Sequence, residues 1–193
     1  MINTLDLAVK YRATYVFSSS AVIYGNSDPS NNIVSEEYEG IVDHLSPRAC
    51  YDEGKRFAET CVETYRQVYK IDAKIARIFT TYGPRMRLND GLLIPDFITS
   101  ALEGRDVVIY GDETLAQSLC FVTDIIDGLR RLMKSGPDVS IVNMGDDQSL
   151  RMVDVAHKII EITNSASVVR FEDPLLFLTH KGTPSLQKIK EKL

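Results

Sequence analysis

Tyr51 and Lys55 stand four residues apart in Tyr51-Asp52-Glu53-Gly54-Lys55. On a helix that spacing puts both side chains on one face, about a turn apart. An ammonium beside a phenol favours the phenolate and draws its pKa down from an ordinary value of about 10. A tyrosine tuned in this way can act as general acid and base on a sugar or alcohol hydroxyl. The second chemical feature is the hydroxyl run Ser18-Ser19-Ser20, inside FSSSAVIYG at 17–25. It closes a β-rich stretch, and open α/β sheets place their ligands at the carboxyl ends of strands. Three hydroxyls there can donate to a substrate oxygen. His44, His157 and His180 are scattered without metal-ligand spacing, which argues against zinc chemistry. Cys50, Cys61 and Cys120 form no CxxC pair and read as free thiols in a reducing compartment.

These groups need elements to hold them. Residues 2–11 place Ile2, Leu5, Ala8 and Val9 at helical spacing. Residues 13–19 read as a buried strand. Between 24 and 47, clustered Gly, Asn, Ser, Asp and Pro predict a long loop of the functional kind. Ser46-Pro47 opens a predicted helix of roughly twenty residues, with Tyr51, Cys61, Val62, Tyr65 and Val68 as its apolar bulk. A strand at 73–79 and a turn-rich connection at 80–86 follow. The remaining pattern predicts a helix at 94–103 ended by Gly104, a strand at 106–111 and a helix at 123–134 capped by Thr123 or Asp124. Beyond it come a strand at 140–145, a helix at 150–163, a strand at 168–172 and a basic helix over 184–193. Alternating strands and helices predict an α/β sheet protein.

A chain of 193 residues fits one domain, or one domain with an appendage. With 44% apolar and 25% charged residues it has enough material for a core, so disorder is excluded. The net charge of −5 gives no support to nucleic-acid binding. No apolar run reaches the ~18 residues of a membrane span. The first ten residues lack the regions of a signal peptide, so a cytoplasmic location is expected. None of the 11 glycines lies closer than seven residues to another, which rules out a GxGxxG or Walker A phosphate loop in this chain.

Six pieces in order carry a resemblance: FSSSAVIYG at 17–25, SPRACYDEGKRFAE at 46–59, ARIFTTYGPRMRLNDG at 76–91, VVIYGDE at 107–113, FVTDIIDGL at 121–129 and NMGDD at 143–147, while the Thr179–Ser185 stretch departs from the pattern. The chain resembles the extended short-chain dehydrogenase/reductase family of NAD-dependent nucleotide-sugar epimerases, dehydratases and decarboxylases. Its middle segments are most similar to UDP-glucuronate decarboxylases (UDP-xylose synthases). The resemblance implies a partial Rossmann-type doubly wound α/β sheet with a small C-terminal substrate lobe. Residues 1–83 would form the later part of the NAD-binding domain with the catalytic helix. Residues 84–193 would form mostly the substrate lobe, with some segments returning to the sheet. Carried over by motif, Ser20 would be the catalytic hydroxyl, Tyr51 the acid/base and Lys55 its partner. Ser18, Tyr51, Lys55, Ile78 and Thr81 would hold NAD. Thr80, Phe97, Tyr110, Gln117 and Lys181 would bind a nucleotide-diphosphate sugar, a UDP-sugar first of all. The implied assembly is a homodimer through helices 2–11 and 47–70, without nucleic acid or membrane.

The chain departs from the family pattern at chosen places. Ala21-Val22 follows the 4-epimerase form of the first motif, where decarboxylases carry Ser-Glu and dehydratases Asp-Glu. Thr80 replaces the family's substrate asparagine, and Gln117 its diphosphate-gripping arginine. Losing that arginine removes a charge-assisted contact of roughly 1.5–3 kcal/mol. Without a glycine fingerprint the NAD pyrophosphate has no cradle here. The expectation is a fragment missing the first lobe, with no turnover by the 193 residues alone. The expected reaction is 4-epimerisation through a 4-keto sugar. The alternatives are UDP-glucuronate decarboxylation and an inactive remnant that binds a nucleotide sugar or a partner.

Overall fold

The structure is a computed structural model that describes residues 1–26, 32–88, 90–175 and 182–193. Helix α1 (Ile2–Tyr11) leads to strand β1 (Tyr15–Ser20) and a 3-10 turn at Ala21–Tyr24. Strand β2 (Ile33–Val34) precedes the long helix α2 (Ala49–Tyr69). Next come β3 (Ala73–Ile78), β4 (Thr81–Tyr82), α3 (Leu93–Leu102), β5 (Val107–Tyr110), β6 (Ala116–Ser118) and β7 (Cys120–Phe121). The chain continues through α4 (Val122–Lys134), β8 (Ile141–Met144), β9 (Ser149–Arg151), α5 (Met152–Thr163), β10 (Val169–Glu172), β11 (Thr183–Pro184) and α6 (Gln187–Lys192).

Strands β1, β3 and β8 form a parallel sheet with β3 in the middle. Successive side chains on β3 point to opposite faces, so both faces can be covered. Ile75 packs with Leu5 of α1 and Val62 of α2. Its neighbour Ala76 packs with Ile125 and Leu132 of α4, together with Val142 and Met144 of β8. Helices on both faces make this a doubly wound α/β sheet. A separate cluster fills the lobe beyond the sheet: Phe97 and Ala101 of α3, Val107 and Ile109 of β5, Met152 and Ala156 of α5. Each fully buried large aliphatic or aromatic side chain there contributes about 1.5–3 kcal/mol. Among the described residues no helix is long and apolar enough to cross a membrane.

The connection after Tyr24 is not structureless. Gly25 bridges to Ile41, β2 pairs in parallel with β11, and the Arg56 guanidinium donates to the carbonyls of Ile23 (2.7 Å) and Glu39 (2.9 Å). Gly25 has φ +66°, and a Cβ there would stand 1.8 Å from the Ile41 carbonyl oxygen, so only glycine fits. The other corrections share one cause, pairing between distant short strands. Helix α5 starts at Met152 because Ser149–Arg151 pairs antiparallel with Ala116–Ser118. Helix α6 starts at Gln187 because Thr183–Pro184 lies against β2. Phe121, rather than Thr123 or Asp124, caps α4, because β7 runs into it from its pairing with β4. That pairing also puts a strand inside the 80–86 connection. The cap of α2 is Arg48, so Pro47 precedes the helix. Of its predicted apolar bulk, Val62 is buried and Cys61 and Tyr65 pack against it, but Tyr51 and Val68 are exposed.

Lys74 of β3 is fully buried. Its Nζ donates to the Ser135 and Gly136 carbonyls at 3.0 and 2.8 Å and pairs with Asp72 at 3.0 Å. It therefore satisfies acceptors just past the end of α4, where a helix leaves carbonyls without partners. Lys74→Met is expected to cost about 2 kcal/mol, because two carbonyls lose their donor. Urea unfolding with an unchanged m-value reads the loss; a change below about 0.5 kcal/mol would show that water replaces the ammonium.

Candidate active site

The site is assembled where α2 crosses the carboxyl end of β1. In register, Ser20 of β1 stands beside Ile78 of β3. The Lys55 ammonium donates to the Ser18 carbonyl at 2.8 Å and lies 5.1 Å from the Phe17 ring centroid and 5.8 Å from that of Tyr51. The helical spacing of four thus brings the lysine beside the tyrosine ring. Tyr51 is 45% exposed, and among the described residues its hydroxyl has no hydrogen-bond partner. Its ring also faces the Arg48 guanidinium at 5.3 Å. Ser20 Oγ accepts the Val22 backbone N–H at 3.4 Å and so caps the 3-10 turn. No hydrogen bond joins Ser20 to Tyr51. The residue two places on, Val22, is completely buried.

A buried polar network lies under this strand end. Ser19 points to the face opposite Ser18 and Ser20, and its Oγ donates to Glu59 Oε1 at 2.5 Å. Glu59 lies one turn beyond Lys55 on α2 and receives Arg77 Nη2 at 2.8 Å. Arg77 Nη1 donates to the Tyr24 hydroxyl (2.9 Å) and to the Glu36 carbonyl (2.8 Å). Tyr24 in turn donates to Asn143 Oδ1 at 2.7 Å. Burial pushes the Tyr24 phenol up to about 12, although Arg77 pulls the other way. The phenol therefore stays a neutral donor. Burial pulls the Arg77 guanidinium down, but Glu59 and Tyr24 together outweigh that, through hydrogen bonds and charge, and hold it above its ordinary value. The network ties β1, α2, β3 and the 33–41 connection into one frame around Ser20 and Lys55. Motif reading missed it, because its members come from five separated segments.

A cavity of ≈620 Å³ opens in the lobe. Four of the five residues expected to bind the sugar line it: Thr80, Phe97, Tyr110 and Gln117. Lys181 lies outside the described residues. Thr80 Oγ1 donates to Gln117 Oε1 at 3.4 Å, so the two departures from the family pattern meet each other. Ser20, Tyr51 and Lys55 are not part of the wall, but Arg48 is, and it links the cavity to Tyr51. Arg48 was visible in sequence only as the residue three before Tyr51 on the same helix. Asp96 also lines the cavity; burial lifts its carboxyl above the usual range, against the pull of Arg105.

The residues expected to face NAD come from β1 (Ser18), α2 (Tyr51 and Lys55), β3 (Ile78) and β4 (Thr81). Lys55 has donors beyond the one given to Ser18, and the ring of the exposed Tyr51 lies 5.8 Å from its ammonium. That donor set fits the ribose hydroxyls of a nicotinamide nucleoside. Ile78 flanks Ser20, while the Thr81 hydroxyl is turned back to the Phe79 carbonyl at 3.0 Å. The fit covers only the nicotinamide end, since the glycines of this chain are too far apart to cradle a pyrophosphate.

Comparison with known proteins agrees with the α/β fold. The model of the NAD dependent epimerase/dehydratase family matches residues 1–145. The chain is 36% identical to UDP-glucuronic acid decarboxylase 5 of Arabidopsis thaliana over 192 residues, covering 100% of this chain and 55% of that protein. It is 36% identical to UDP-glucuronic acid decarboxylase 1 of Xenopus tropicalis, covering 98% of this chain and 44% of that one. It therefore spans about half the length of the curated relatives it matches. In fold it is similar to UDP-glucose 4-epimerase of Thermotoga maritima, solved with UDP-glucose, at a TM-score of 0.87 and 21% identity, over 97% of this chain and 60% of that one. UDP-glucuronic acid 4-epimerase of Bacillus cereus, solved with NAD, gives a TM-score of 0.82 at 23% identity, over 98% of this chain and 58% of that one. By its family match over residues 1–145, the chain belongs to the NAD dependent epimerase/dehydratase family.

Proposed function

We propose that this chain carries the catalytic and sugar-binding parts of an NAD-dependent nucleotide-sugar 4-epimerase that works through a 4-keto sugar. The observation that carries the reading is the shared cavity of Thr80, Phe97, Tyr110 and Gln117, with Arg48 in its wall next to Tyr51. In this reading Tyr51 takes the proton of the C4 hydroxyl and returns it after the sugar turns over. Lys55 stabilises the phenolate form during that exchange. Ser20 donates its own O–H to the oxygen at C4, since in its bond with the Val22 N–H it only accepts. NAD, when bound, supplies a reversible hydride acceptor. Ser18, Ile78 and Thr81 flank the place where its nicotinamide end would sit. The sugar is held by the four cavity residues, with Lys181 as a fifth contact in the proposal.

Epimerisation is preferred because it needs only a proton shuttle and a hydride acceptor. Val22 puts a buried, apolar side chain where an acid would assist decarboxylation or dehydration. Decarboxylation is the second reading, favoured by the 36% identity to UDP-glucuronic acid decarboxylases. The proposed assembly is a homodimer over α1 and α2, supported by the exposed Leu7, Tyr11, Phe57 and Tyr69.

The test supplies the protein, together with any residues that precede Met1 in its reading frame, with NAD and either UDP-glucose or UDP-glucuronate. Products are followed by proton NMR. A 4-epimer of either substrate, with no carbon dioxide, is the expected result. Carbon dioxide and a UDP-pentose from UDP-glucuronate, with no epimer from either sugar, would replace this reading by the second.

A further inference from the structure

The three serines that end β1 are used in three different ways. The Ser18 carbonyl accepts the Lys55 ammonium at 2.8 Å. The Ser19 hydroxyl donates to Glu59 Oε1 at 2.5 Å. Ser20 Oγ accepts only the Val22 N–H, at 3.4 Å. Three residues further on, the Ile23 carbonyl accepts Arg56 Nη1 at 2.7 Å. Lys55, Arg56 and Glu59 stand within about one turn of α2, just beyond Tyr51. The Ser20 backbone pairs with β3 beside Ile78, but among the described residues Ser20 makes no hydrogen bond to α2. Its place against the tyrosine of that helix is therefore set by anchors on either side of it, at Ser18 and Ser19 before and at Ile23 after.

These anchors differ in stiffness. Lys55 reaches its carbonyl on a flexible four-carbon stem, and Arg56 reaches its own on a stem nearly as long. Ser19 has the shortest of hydroxyl side chains, and both it and Glu59 are buried, at 3% and 9% exposure. Glu59 cannot follow the strand if it shifts, because Arg77 of β3 holds it at 2.8 Å. A hydroxyl donating to a carboxylate is also roughly twice as strong as a bond between neutral groups. The Ser19–Glu59 contact is thus the rigid member of the set, and it sits one residue from the hydroxyl that would work on the sugar.

We infer that Ser19 is a positioning residue: anchored on Glu59, it holds the peptide that carries Ser20 and so fixes where the Ser20 hydroxyl stands relative to Tyr51. The inference rests on the roles given to Ser20 and Tyr51 above, and holds for any reaction that uses that pair. Loss of the Ser19 hydroxyl leaves Glu59 its bonds to Arg77, so the fold is kept while the strand end loses its rigid anchor.

Ser19→Ala, Ser20→Ala and the double variant test it, by two readouts. The first is turnover of the substrate found active. Ser20→Ala is expected to lower kcat about 10²-fold, as loss of a positioned donor does. Ser19→Ala is expected to lower kcat about tenfold with KM within about twofold, since a misplaced group costs turnover more than binding. With Ser20 already alanine, removing the Ser19 hydroxyl is expected to change kcat by less than about twofold, because its effect passes through Ser20. The second readout needs no substrate: amide hydrogen exchange of the 193 residues themselves. The Val22 N–H, which Ser20 Oγ accepts, is expected to exchange about tenfold faster in Ser19→Ala, while the amides of α5 in the other lobe keep their rates. An equal loss of kcat from Ser19→Ala with and without the Ser20 hydroxyl overturns the inference. So does a Val22 rate that is unchanged, or that rises only in step with α5, since either makes Ser19 a part of the fold and nothing more. Full turnover by Ser20→Ala would instead remove Ser20 from the chemistry, and this inference would fall with that reading.

Discussion

Tyr51→Phe is expected to lower turnover by roughly 10²–10⁴-fold, the usual worth of a positioned general acid/base. The substitution removes one oxygen and nothing else. The phenyl ring keeps its place between Arg48, at 5.3 Å, and Lys55, at 5.8 Å. Because the hydroxyl makes no hydrogen bond among the described residues, the fold loses nothing measurable. Stability is expected within about 0.5 kcal/mol of the wild type, as for exposed substitutions away from special features. Nucleotide-sugar affinity is expected within about twofold, since the loss falls on an interaction made in the transition state. The measurement is kcat and KM on the substrate found active, beside calorimetric affinity for the same ligand. A variant that keeps more than about a tenth of wild-type kcat would remove Tyr51 from the chemistry and leave its four-residue spacing to Lys55 without catalytic meaning.

The largest stability effect is expected from Arg77→Met. Arg77 and Glu59 pair at 2.8 Å with only 11% of each side chain exposed. Removing the guanidinium leaves a buried carboxylate with the Ser19 hydroxyl as its remaining donor. Breaking one side of a buried pair typically costs about 3–5 kcal/mol. For a chain of this size that is a fall in Tm of roughly 10 °C. The effect has a second signature, because an intact pair is not itself strongly stabilising. Arg77→Met combined with Glu59→Met removes both charges, and is expected to recover part of the loss. Thermal unfolding of the two variants separates the cases. A loss under about 1 kcal/mol in the single variant, or a double variant no better than the single, would show that Glu59 finds water when Arg77 is gone.

The network also bears on the site. Glu59 joins α2 to β1 through Ser19, and Lys55 joins the same two elements one turn earlier through the Ser18 carbonyl. These two links fix the helix against the strand. They set where Tyr51 and Ser20 stand relative to one another without touching a substrate.

Much of this was legible from local pattern. Helical spacing at Leu5 and Ala8 and the apolar strands at 73–79 and 140–145 report burial against one sheet, and burial is what periodicity measures; Ile2, in the same spacing, is exposed. The four-residue spacing of Tyr51 and Lys55 needs only a helix to bring ring and ammonium together. The family resemblance picked out Thr80, Phe97, Tyr110 and Gln117, which come from four segments and line one cavity. What the tertiary structure alone decided is pairing at a distance. Strands of two or three residues, such as Ile33–Val34 against Thr183–Pro184, have too few side chains to show a period; backbone hydrogen bonds to a remote partner make them. The same holds for charge. Lys74 reads as a surface lysine until the carbonyls of Ser135 and Gly136 close around it. Arg48 and Arg77 are indistinguishable as residue types. One is sealed against Glu59, and the other has terminal nitrogens without a partner among the described residues, because partner geometry, and not side-chain chemistry, determines whether a guanidinium is spent within the fold.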